Sequence, residues 1–227
     1  MKMIKLMAVL AILSLNQFGG DETPIRDYPV PPSVDISAIR FIGCPIAGTA
    51  YEEQGSGFLI GKGILATAYH VAAGQNCYDE ATGAKLVMYY KDPKHDFALM
   101  TGPDMPTDLP YIKYACLPFK KGESYISYGI SQYGQARPII RNNTLVYTGD
   151  VTQDDKAVVD FIYSKGMSIF RGAIAPGMSG GPVTDVNGYA VAVNNAGNSD
   201  TTLLFQLKDT LLCTGAYTPP KNSKEPV

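Results

Sequence analysis

Short apolar segments separated by turn-forming residues run through most of the chain, and this pattern limits the folds that the chain can adopt. The 227 residues include 23 glycines and 16 prolines, which recur at short intervals between the segments. Most segments have the length of a β-strand rather than of a helix, and glycine or proline between strands marks a turn. We therefore predict an all-β fold made of many short strands.

The apolar segments form two series, separated by a proline-rich connection at Gly102–Pro118 that shows no helical periodicity. We predict one β-domain over residues 39–118, including this connection, and a second over residues 119–213. Leu203–Leu212 is the one stretch of the second series that resembles a helix. Apolar residues make up 45% of the chain, which is enough for one large core or two small ones.

The first 20 residues resemble an export signal. Two lysines within Met1–Lys5 precede the apolar run Leu6–Leu15, which only Ser14 interrupts. This run is too short to span a bilayer, which needs about 20 residues, but it suits the centre of a signal peptide. We expect residues 1–20 to be a signal peptide and the protein to be exported, to the periplasm or outside the cell. A buried helix and an uncleaved N-terminal anchor are the alternatives.

Two further segments fall outside the predicted β-domains. Residues 21–38 are rich in proline and aspartate, and we expect an extended leader there because proline lacks a backbone donor and favours polyproline geometry. Residues 214–227 have the polar, proline-containing composition of a disordered tail.

The charge balance argues against two classes of partner. The chain has 19 basic and 21 acidic residues, a formal net charge of −2, and no run of Lys or Arg longer than two. We therefore expect no nucleic acid partner and no membrane contact beyond an N-terminal anchor.

Four cysteines follow the predicted signal, and they are Cys44, Cys77, Cys116 and Cys213. An even number in an exported chain predicts two disulfides, for which three pairings are possible. A zinc site is the weaker alternative, because no two cysteines form a Cys-x-x-Cys motif and the chain has only 2 histidines. We expect no metal and no other cofactor.

One serine lies in a segment suited to nucleophilic catalysis, Gly177–Pro182, just before a predicted hairpin. The glycines let the chain turn sharply and leave the hydroxyl of Ser179 uncrowded. They also expose the N–H groups of Gly177 and Ser179, which can converge on an oxyanion. In the hairpin, Asn187-Gly188 predicts a type I′ turn. A glycine-rich turn without catalytic function is the alternative for this segment.

The order of the candidate acid and base residues narrows the class of enzyme. Both histidines, His70 and His95, precede Ser179, which excludes the Ser–Asp–His order of α/β-hydrolases. The subtilisin order, Asp then His then Ser, is formally possible with Asp35, but the βαβ helices of that fold are not predicted. A strand ending at His70 would present a base for the serine proton, and Asp96, just before an apolar strand, can fix the imidazole tautomer. A buried histidine and a turn aspartate are each ordinary alone, so the prediction rests on their occurrence together with the serine motif.

Three segments resemble the signature blocks of the trypsin-like serine proteases, in their compact bacterial, phage and viral form: GSGFLIGKGILATAYHV, DFALM and GMSGGPVTDVNGYAVAVN. The resemblance covers roughly Ile39–Leu212. It implies two packed six-stranded antiparallel β-barrels with a short C-terminal helix. It also implies a catalytic triad in the cleft, with His70 and Asp96 from the first barrel and Ser179 from the second.

The resemblance assigns further roles. The oxyanion hole would consist of Gly177 and Ser179, and the strand around Val193–Ala196 would pair with the substrate backbone. The pocket for the side chain before the cut would be lined by Ala173, Ile174, Ala175, Val193, Asn194, Asn195 and Ala196. Trypsin has an acid where this chain has Ala173, and relatives that prefer Glu or Gln place a histidine in the later strand, which is absent here. We therefore expect a preference for small or aliphatic side chains.

Several positions depart from the family pattern or depend on it. Met178 replaces the aspartate that grips a newly cut N-terminus in digestive enzymes, so that activation mechanism is in doubt. Asn194 and Asn195 stand where relatives often have Ser or Thr, which leaves the support of Asp96 open. His95 is expected to be a solvated neighbour. By the resemblance, Cys44 pairs with Cys77 and Cys116 with Cys213.

The function predicted from these residues is that of a serine endopeptidase, which cuts protein or peptide substrates through an acyl-enzyme. Two alternatives remain open. One is a protease-like module that binds extended peptides without cutting them, and the other is a viral or phage protease that processes its own precursor. A complete triad argues against the first, and the export signal argues against the second.

Overall fold

Two six-stranded antiparallel β-sheets contain most of the regular structure, as the all-β prediction requires. The computed structural model describes residues 34–46, 48–50, 52–74, 76–132, 136–152 and 166–214. The first sheet contains β1 (Ile39–Pro45), β2 (Glu52–Gly61), β3 (Ile64–Thr67), β4 (Tyr78–Asp79), β5 (Val87–Asp92) and β6 (Phe97–Thr101). The second contains β7 (Ser124–Ser131), β8 (Ile139–Asp150), β9 (Ser168–Arg171), β10 (Pro182–Thr184), β11 (Ala190–Gly197) and β12 (Thr201–Gln206). The described residues also contain two one-turn α-helices, α1 (Tyr69–Ala72) and α2 (Leu211–Thr214), and two 3₁₀ turns, at Ile36–Ala38 and Leu207–Asp209.

The two sheets differ in closure. The second is a closed barrel with the strand order β10-β11-β12-β9-β8-β7, completed by pairing of β10 with β7. The first has the order β4-β1-β2-β3-β6-β5, which leaves β4 and β5 at its edges. The expectation of two barrels therefore holds with one correction, since the first sheet is a half-barrel.

Each sheet packs around its own apolar core. In the first, Ile42, Phe58, Leu65 and Leu99 are fully buried. β2 and β3 approach closely at Gly57, where an added Cβ would lie 2.6 Å from the Leu65 side chain. Such close pairing needs a glycine and fixes the register of the strand that leads to α1.

Aromatic rings fill the closed barrel. Phe119 follows the connection between the sheets and meets Phe170 edge to face, with ring centroids 4.7 Å apart. Tyr125 and Tyr147 also contact Phe119, with centroids at 4.9 and 5.4 Å. Edge-to-face pairs of this kind stabilise a core beyond the area that they bury.

The hairpin between β10 and β11 is present, but the predicted type I′ turn is wrong. Gly188 has a φ of +85°, whereas Asn187 does not have a positive φ. The side chain of Asp185 accepts hydrogen bonds from the N–H groups of Asn187 and Tyr189, at 3.0 and 2.9 Å. This Asp-centred turn holds Asn187 in ordinary geometry and needs left-handed geometry only at the glycine.

The predicted helix at Leu203–Leu212 is wrong over its first half. Thr201–Gln206 is β12, and it is followed by a 3₁₀ turn at Leu207–Asp209 and then by α2. β12 pairs with β11 on one side and β9 on the other, and its residues from Thr202 to Gln206 are all buried. A short apolar run buried on both faces has no period-2 pattern, so its sequence does not separate strand from helix.

Two disulfides join the pairs that the resemblance implies. Cys44 at the end of β1 is bonded to Cys77, and Cys116 in the connection is bonded to Cys213 in α2. No helix among the described residues is long and apolar enough to cross a membrane. The predicted signal, most of the leader and all but the first residue of the tail lie outside the described residues.

Candidate active site

His70 is presented by a one-turn helix at the end of β3. The strand ends at Thr67, three residues earlier than predicted, and His70 is the second residue of α1. Val71 and Ala72 of the same helix are buried, whereas 49% of the His70 side chain is exposed. The helix is therefore anchored by its apolar residues and leaves the imidazole accessible.

Asp96 binds both the side chain and the backbone of His70. Its Oδ2 lies 2.7 Å from His70 Nδ1, and its Oδ1 accepts the backbone N–H of His70 at 2.8 Å. Asp96 immediately precedes β6 and has a φ of +44°, a left-handed conformation that aspartate tolerates better than most residues. Its backbone oxygen also accepts the N–H of Tyr69 at 3.1 Å. These bonds leave Nε2 as the imidazole nitrogen available to a reactant.

Asn195 supports the carboxylate of Asp96, although relatives often have Ser or Thr at this position. Its Nδ2 donates to Asp96 Oδ2 at 3.0 Å and to the Asp96 backbone oxygen at 3.1 Å. Its Oδ1 accepts the N–H of Phe205 at 2.8 Å, which fixes the orientation of the amide. The side chain predicted to line the substrate pocket therefore faces Asp96 instead.

Ser179 lies in a turn that only glycine-rich sequence can form. Gly177 and Gly180 have φ values of +90° and +88°, and a Cβ on Gly180 would lie 2.0 Å from the backbone oxygen of Ser56. Met178 is fully buried beneath the turn. An apolar side chain therefore occupies the position of the aspartate found in digestive enzymes.

Backbone contacts bring this turn against the first sheet. The carbonyl oxygen of Ser179 accepts the N–H of Ser56 on β2 at 2.7 Å. A Cβ on Gly55 would lie 2.5 Å from Val71 of α1 and 3.1 Å from the Ser179 oxygen. The histidine helix and the serine turn therefore pack on the same residue of β2.

The hydroxyl of Ser179 donates to the backbone oxygen of Asn195 at 3.2 Å. No hydrogen bond in the described part of the chain joins this hydroxyl to His70. Catalytic hydrogen bonds are often long in a free enzyme and shorten when substrate binds.

The charges around His70 favour its protonated form. Although half of the ring is exposed, desolvation by the surrounding protein lowers the pKa of His70. The charge of Asp96, its hydrogen bond and the charge of Glu53 raise this pKa by more, so that it lies above 6.5. Burial raises the pKa of Glu53 above 4.5, and His70 partly offsets this effect. The candidate base is therefore coupled to two carboxylates.

Four of the predicted pocket residues, Ala173, Ile174, Ala175 and Ala196, have apolar side chains that are buried or half-buried. Ala173, Ile174 and Ala175 are buried before the serine turn, and a Cβ on Gly197 would lie 2.8 Å from the Ile174 side chain. Ala196 is half-buried on β11 and packs with the apolar side chains beside β12.

Val193 and Asn194 offer no side chain to a pocket. Val193 is buried in the first core, and the amide of Asn194 donates to the backbone oxygens of Tyr128 and Met178 at 2.8 and 3.2 Å. Their place in the substrate pocket stays a prediction, and it would involve their backbone rather than these side chains.

His95 is also placed differently from the expectation. Only 17% of its side chain is exposed, and Nδ1 lies 2.7 Å from Asp92 Oδ2. Its ring meets Phe205 edge to face at 5.7 Å. His95 therefore braces the turn before Asp96 rather than facing solvent.

The described residues contain no group of three or more His, Cys, Asp or Glu side chains suited to a metal ion. Of the residues singled out by the sequence, His70 and Asp96 are bonded to each other beside the first sheet, and Ser179 lies in a turn before β10 of the second. Two further polar groups near the turn, Ser56 and Ser131, were missed by sequence reasoning. The glycines on either side of Ser56 were the one available signal.

Comparison with known proteins finds relatives that are named serine proteases. The chain is 30% identical over 148 residues to the serine protease Rv3671c of Mycobacterium tuberculosis, which covers 62% of this chain and 35% of that protein. It is 28% identical over 186 residues to the putative serine protease HhoA of Synechocystis, covering 78% of this chain and 42% of that protein. The chain therefore spans less than half the length of these relatives.

Solved structures share the fold. The active form of the Rv3671c protease superposes with a TM-score of 0.64 at 20% identity, covering 90% of this chain and 96% of that one. The HtrA-type protease AlgW with a bound decapeptide gives a TM-score of 0.58 at 16% identity, covering 79% and 63%. The model of the trypsin-like peptidase domain matches residues 55–193, which is more than half of the chain. The chain therefore belongs to the trypsin-like peptidase domain family.

Proposed function

We propose that the protein is a serine endopeptidase in which Ser179, His70 and Asp96 form the catalytic triad. The observation that carries this proposal is the carboxylate of Asp96, which binds both Nδ1 and the backbone N–H of His70. A carboxylate in this position fixes the tautomer with the proton on Nδ1, so that Nε2 can accept a proton. Family membership and the packing of the serine turn beside α1 support the same assignment.

The reaction would proceed through an acyl-enzyme. Once the Ser179 hydroxyl turns from Asn195 to His70, its oxygen attacks the peptide carbonyl carbon while Nε2 takes the proton. The tetrahedral intermediate then expels the amine, which receives that proton from the imidazolium, and an ester to Ser179 remains. Water attacks this ester by the same proton route and releases the acid product. The charges of Asp96 and Glu53 stabilise the imidazolium during both steps.

The N–H groups of Gly177 and Ser179 would stabilise the oxyanion. The left-handed φ of +90° at Gly177 turns the backbone so that two N–H groups can converge on one point. Loss of one such donor typically lowers kcat by about 10²–10³.

Peptide substrates would add as a strand to the free edge of β11. Pairing with β10 ends at Val193, whereas pairing with β12 continues to Gly197. Residues 195–197 therefore keep one unpaired edge, which suits β-addition. The HtrA-type protease AlgW, a fold relative, has been solved with a decapeptide.

The pocket for the residue before the cut would be shallow and apolar. Ile174 fills the space opposite Gly197, and Ala173 provides no charge for a basic side chain. Small or aliphatic side chains are therefore favoured, with modest selectivity, because one methylene changes binding by about 1–3 kcal/mol. The two disulfides support export to an oxidising compartment, as the predicted signal implies.

Labelling with a fluorophosphonate probe tests the proposal, because the probe reports an activated serine without requiring the natural substrate. We expect the wild-type protein to be labelled and the Ser179→Ala variant to show neither labelling nor peptide cleavage, with an unchanged fold by circular dichroism. Ser199→Ala, at an exposed serine, is the matched control and should be labelled like the wild type. Labelling of the Ser179→Ala variant would show that the nucleophile is misassigned.

A peptide-binding module without catalysis is the second candidate. The hydrogen bond from Ser179 to Asn195, rather than to His70, is the observation that favours it. An unlabelled wild type that still binds extended peptides would establish this alternative.

A further inference from the structure

Two buried hydroxyl groups outside the proposed triad hold the turn that carries Ser179. Ser56 lies on β2 and Ser131 ends β7, and both are 0% exposed. Ser131 Oγ donates to the carbonyl oxygen of Pro176 at 2.7 Å, and Ser56 Oγ donates to that of Gly177 at 2.7 Å. The two serines therefore bind consecutive carbonyl groups, which only Met178 separates from Ser179.

The surroundings of Ser56 determine where its hydroxyl proton goes. Oγ lies 2.7 Å from the Gly177 oxygen and 3.3 Å from the Ile130 oxygen, and it accepts the N–H of Ile130 at 2.7 Å. A hydroxyl has one proton and two lone pairs. The proton therefore goes to the nearer oxygen, on Gly177, while Ile130 occupies a lone pair. Because Ile130 belongs to β7, Ser56 links the first sheet to the second sheet and to the turn.

The orientation of the Pro176–Gly177 peptide group decides which of its atoms faces a substrate. A trans peptide is planar, so that its C=O and N–H point in opposite directions, and no described peptide bond is cis. With the Pro176 oxygen bound to Ser131, the N–H of Gly177 points away from the end of β7. A half-turn of this peptide would put a carbonyl oxygen where the N–H stood, and that oxygen would repel a developing oxyanion.

Glycine makes such a rotation easy unless something prevents it. Gly177 has a φ of +90°, and a residue without Cβ crosses backbone conformations more readily than any other. On one side, a Cβ at Gly177 would lie 2.8 Å from the Ile130 oxygen, so glycine is required there. Residue 177 must be glycine because a side chain would not fit. The backbone flexibility of this glycine must therefore be restrained by neighbouring residues.

We propose that Ser56 and Ser131 are positioning residues for the oxyanion hole. Ser131 on β7 holds the Pro176–Gly177 peptide, which carries the N–H of Gly177, and Ser56 on β2 holds the next peptide, Gly177–Met178. With both neighbours of the Gly177 α-carbon held, its N–H is oriented before substrate binds. The inference rests on the proposed function, because it assumes that the N–H groups of Gly177 and Ser179 stabilise an oxyanion. The two serines act through the turn and touch neither the substrate nor the reacting atoms.

Steady-state kinetics with a fluorogenic peptide ending in Ala, Val or Leu tests this role. In the Ser131→Ala variant we expect kcat to fall about tenfold with KM unchanged, because an interaction that acts only in the transition state affects kcat alone. The drop is smaller than the roughly 10²–10³ that follows loss of a donor itself. The affinity for a peptide boronic acid, whose tetrahedral adduct places an oxygen in the hole, should fall by the same factor. A merely structural role would leave the boronate affinity of the folded protein unchanged.

Ser56→Ala is the second variant and is expected to act in the same direction, so that the test survives if one variant does not fold. Ser168→Ala is the control, because this fully buried serine on β9 loses a 2.7 Å bond to Asp150 without touching the turn. It should keep wild-type kinetics. Wild-type kcat and boronate affinity in both test variants would overturn the inference while leaving the protease assignment intact. A wild type that the fluorophosphonate does not label would overturn both.

Discussion

Three N–H groups surround the carboxylate of Asp96, and the one from Asn195 comes from the opposite sheet. His70 supplies the other two, through its ring and its backbone. Asn195 is itself fixed because Phe205 donates its backbone N–H to the amide oxygen. A carboxylate held by several donors keeps its orientation, which is needed to stabilise an imidazolium.

Replacing Asn195 tests this support. In Asn195→Ala, Asp96 loses a donor and the buried N–H of Phe205 loses its acceptor, so we expect unfolding free energy to fall by about 1–3 kcal/mol. We also expect kcat to fall about tenfold, since one kcal/mol or so of transition-state stabilisation is lost. Asn195→Asp keeps the shape but adds a second carboxylate beside Asp96, which should raise the pKa of His70 and move the acid limb of the pH–rate profile upward. An unshifted profile in the aspartate variant would contradict the role.

Glu53 provides a second residue-scale prediction, which concerns pH. His70 must be neutral to accept the serine proton, so activity should rise with pH through a pKa above about 6.5. Because the charge of Glu53 raises the pKa of His70, Glu53→Gln should move this limb to lower pH. Glu52→Gln is the control, since Glu52 is the adjacent acid and bonds Tyr78. Profiles of kcat/KM from pH 5 to 9 measure the position of this limb in each variant. Equal shifts in Glu53→Gln and Glu52→Gln would show that Glu53 has no specific effect on the pKa of His70.

At the scale of elements, the site depends on where strands end. β3 stops at Thr67, and α1 turns His70 back toward Asp96, which immediately precedes β6. The candidate triad could be identified from the sequence, because histidine is rare in this chain and the glycines around Ser179 are distinctive. The partners Asn195 and Ser56 could not, since their hydrogen bonds depend on strand register and on the packing of one sheet against the other.

The same limit explains the misassigned element. β12 has three consecutive apolar residues, Leu203–Phe205, because β11 and β9 flank it and its central residues are buried on both faces. Local sequence carries no information about these partners, which are distant along the chain. The prediction of a type I′ turn at Asn187-Gly188 was wrong for the opposite reason. Here the geometry depends on a residue close in sequence, Asp185, whose side chain accepts hydrogen bonds from the backbone of the turn.

Ile174, between β9 and the serine turn, gives the element-scale prediction. Its side chain fills the space opposite Gly197, where a Cβ would approach it to 2.8 Å. Ile174→Ala should open the pocket and raise kcat/KM for peptides with Phe or Met before the cut about tenfold relative to Ala, as a few methylenes of new contact permit. Ile169→Ala, on β9 and packed beside Met167, Leu203 and Phe205, is the control and should leave the ratio unchanged. An unchanged ratio in Ile174→Ala would show that this residue does not limit the pocket.

On the scale of the whole molecule, the candidate site exists only where the two sheets meet. The N–H of Ser56 on β2 bonds the carbonyl oxygen of Ser179, and Asn195 on β11 bonds Asp96 ahead of β6. Each sheet therefore completes the part of the site that the other carries. Whatever fixes the sheets together also fixes the geometry of the reaction.

Removing each of the two disulfides should affect stability and activity to different extents. They close loops of 33 and 97 residues, so on the chain-entropy model they stabilise by about 3.7 and 4.7 kcal/mol. The Cys116→Ser/Cys213→Ser variant should therefore show the larger loss in denaturant unfolding. The Cys44→Ser/Cys77→Ser variant should lose less stability but more activity, because Gly74 packs against Cys44, at 2.7 Å from an added Cβ, just after α1. Loosening this bond frees the helix that carries His70, whereas the longer bridge joins the connection to α2. A larger activity loss in the Cys116→Ser/Cys213→Ser variant, measured with both proteins fully folded, would contradict this assignment.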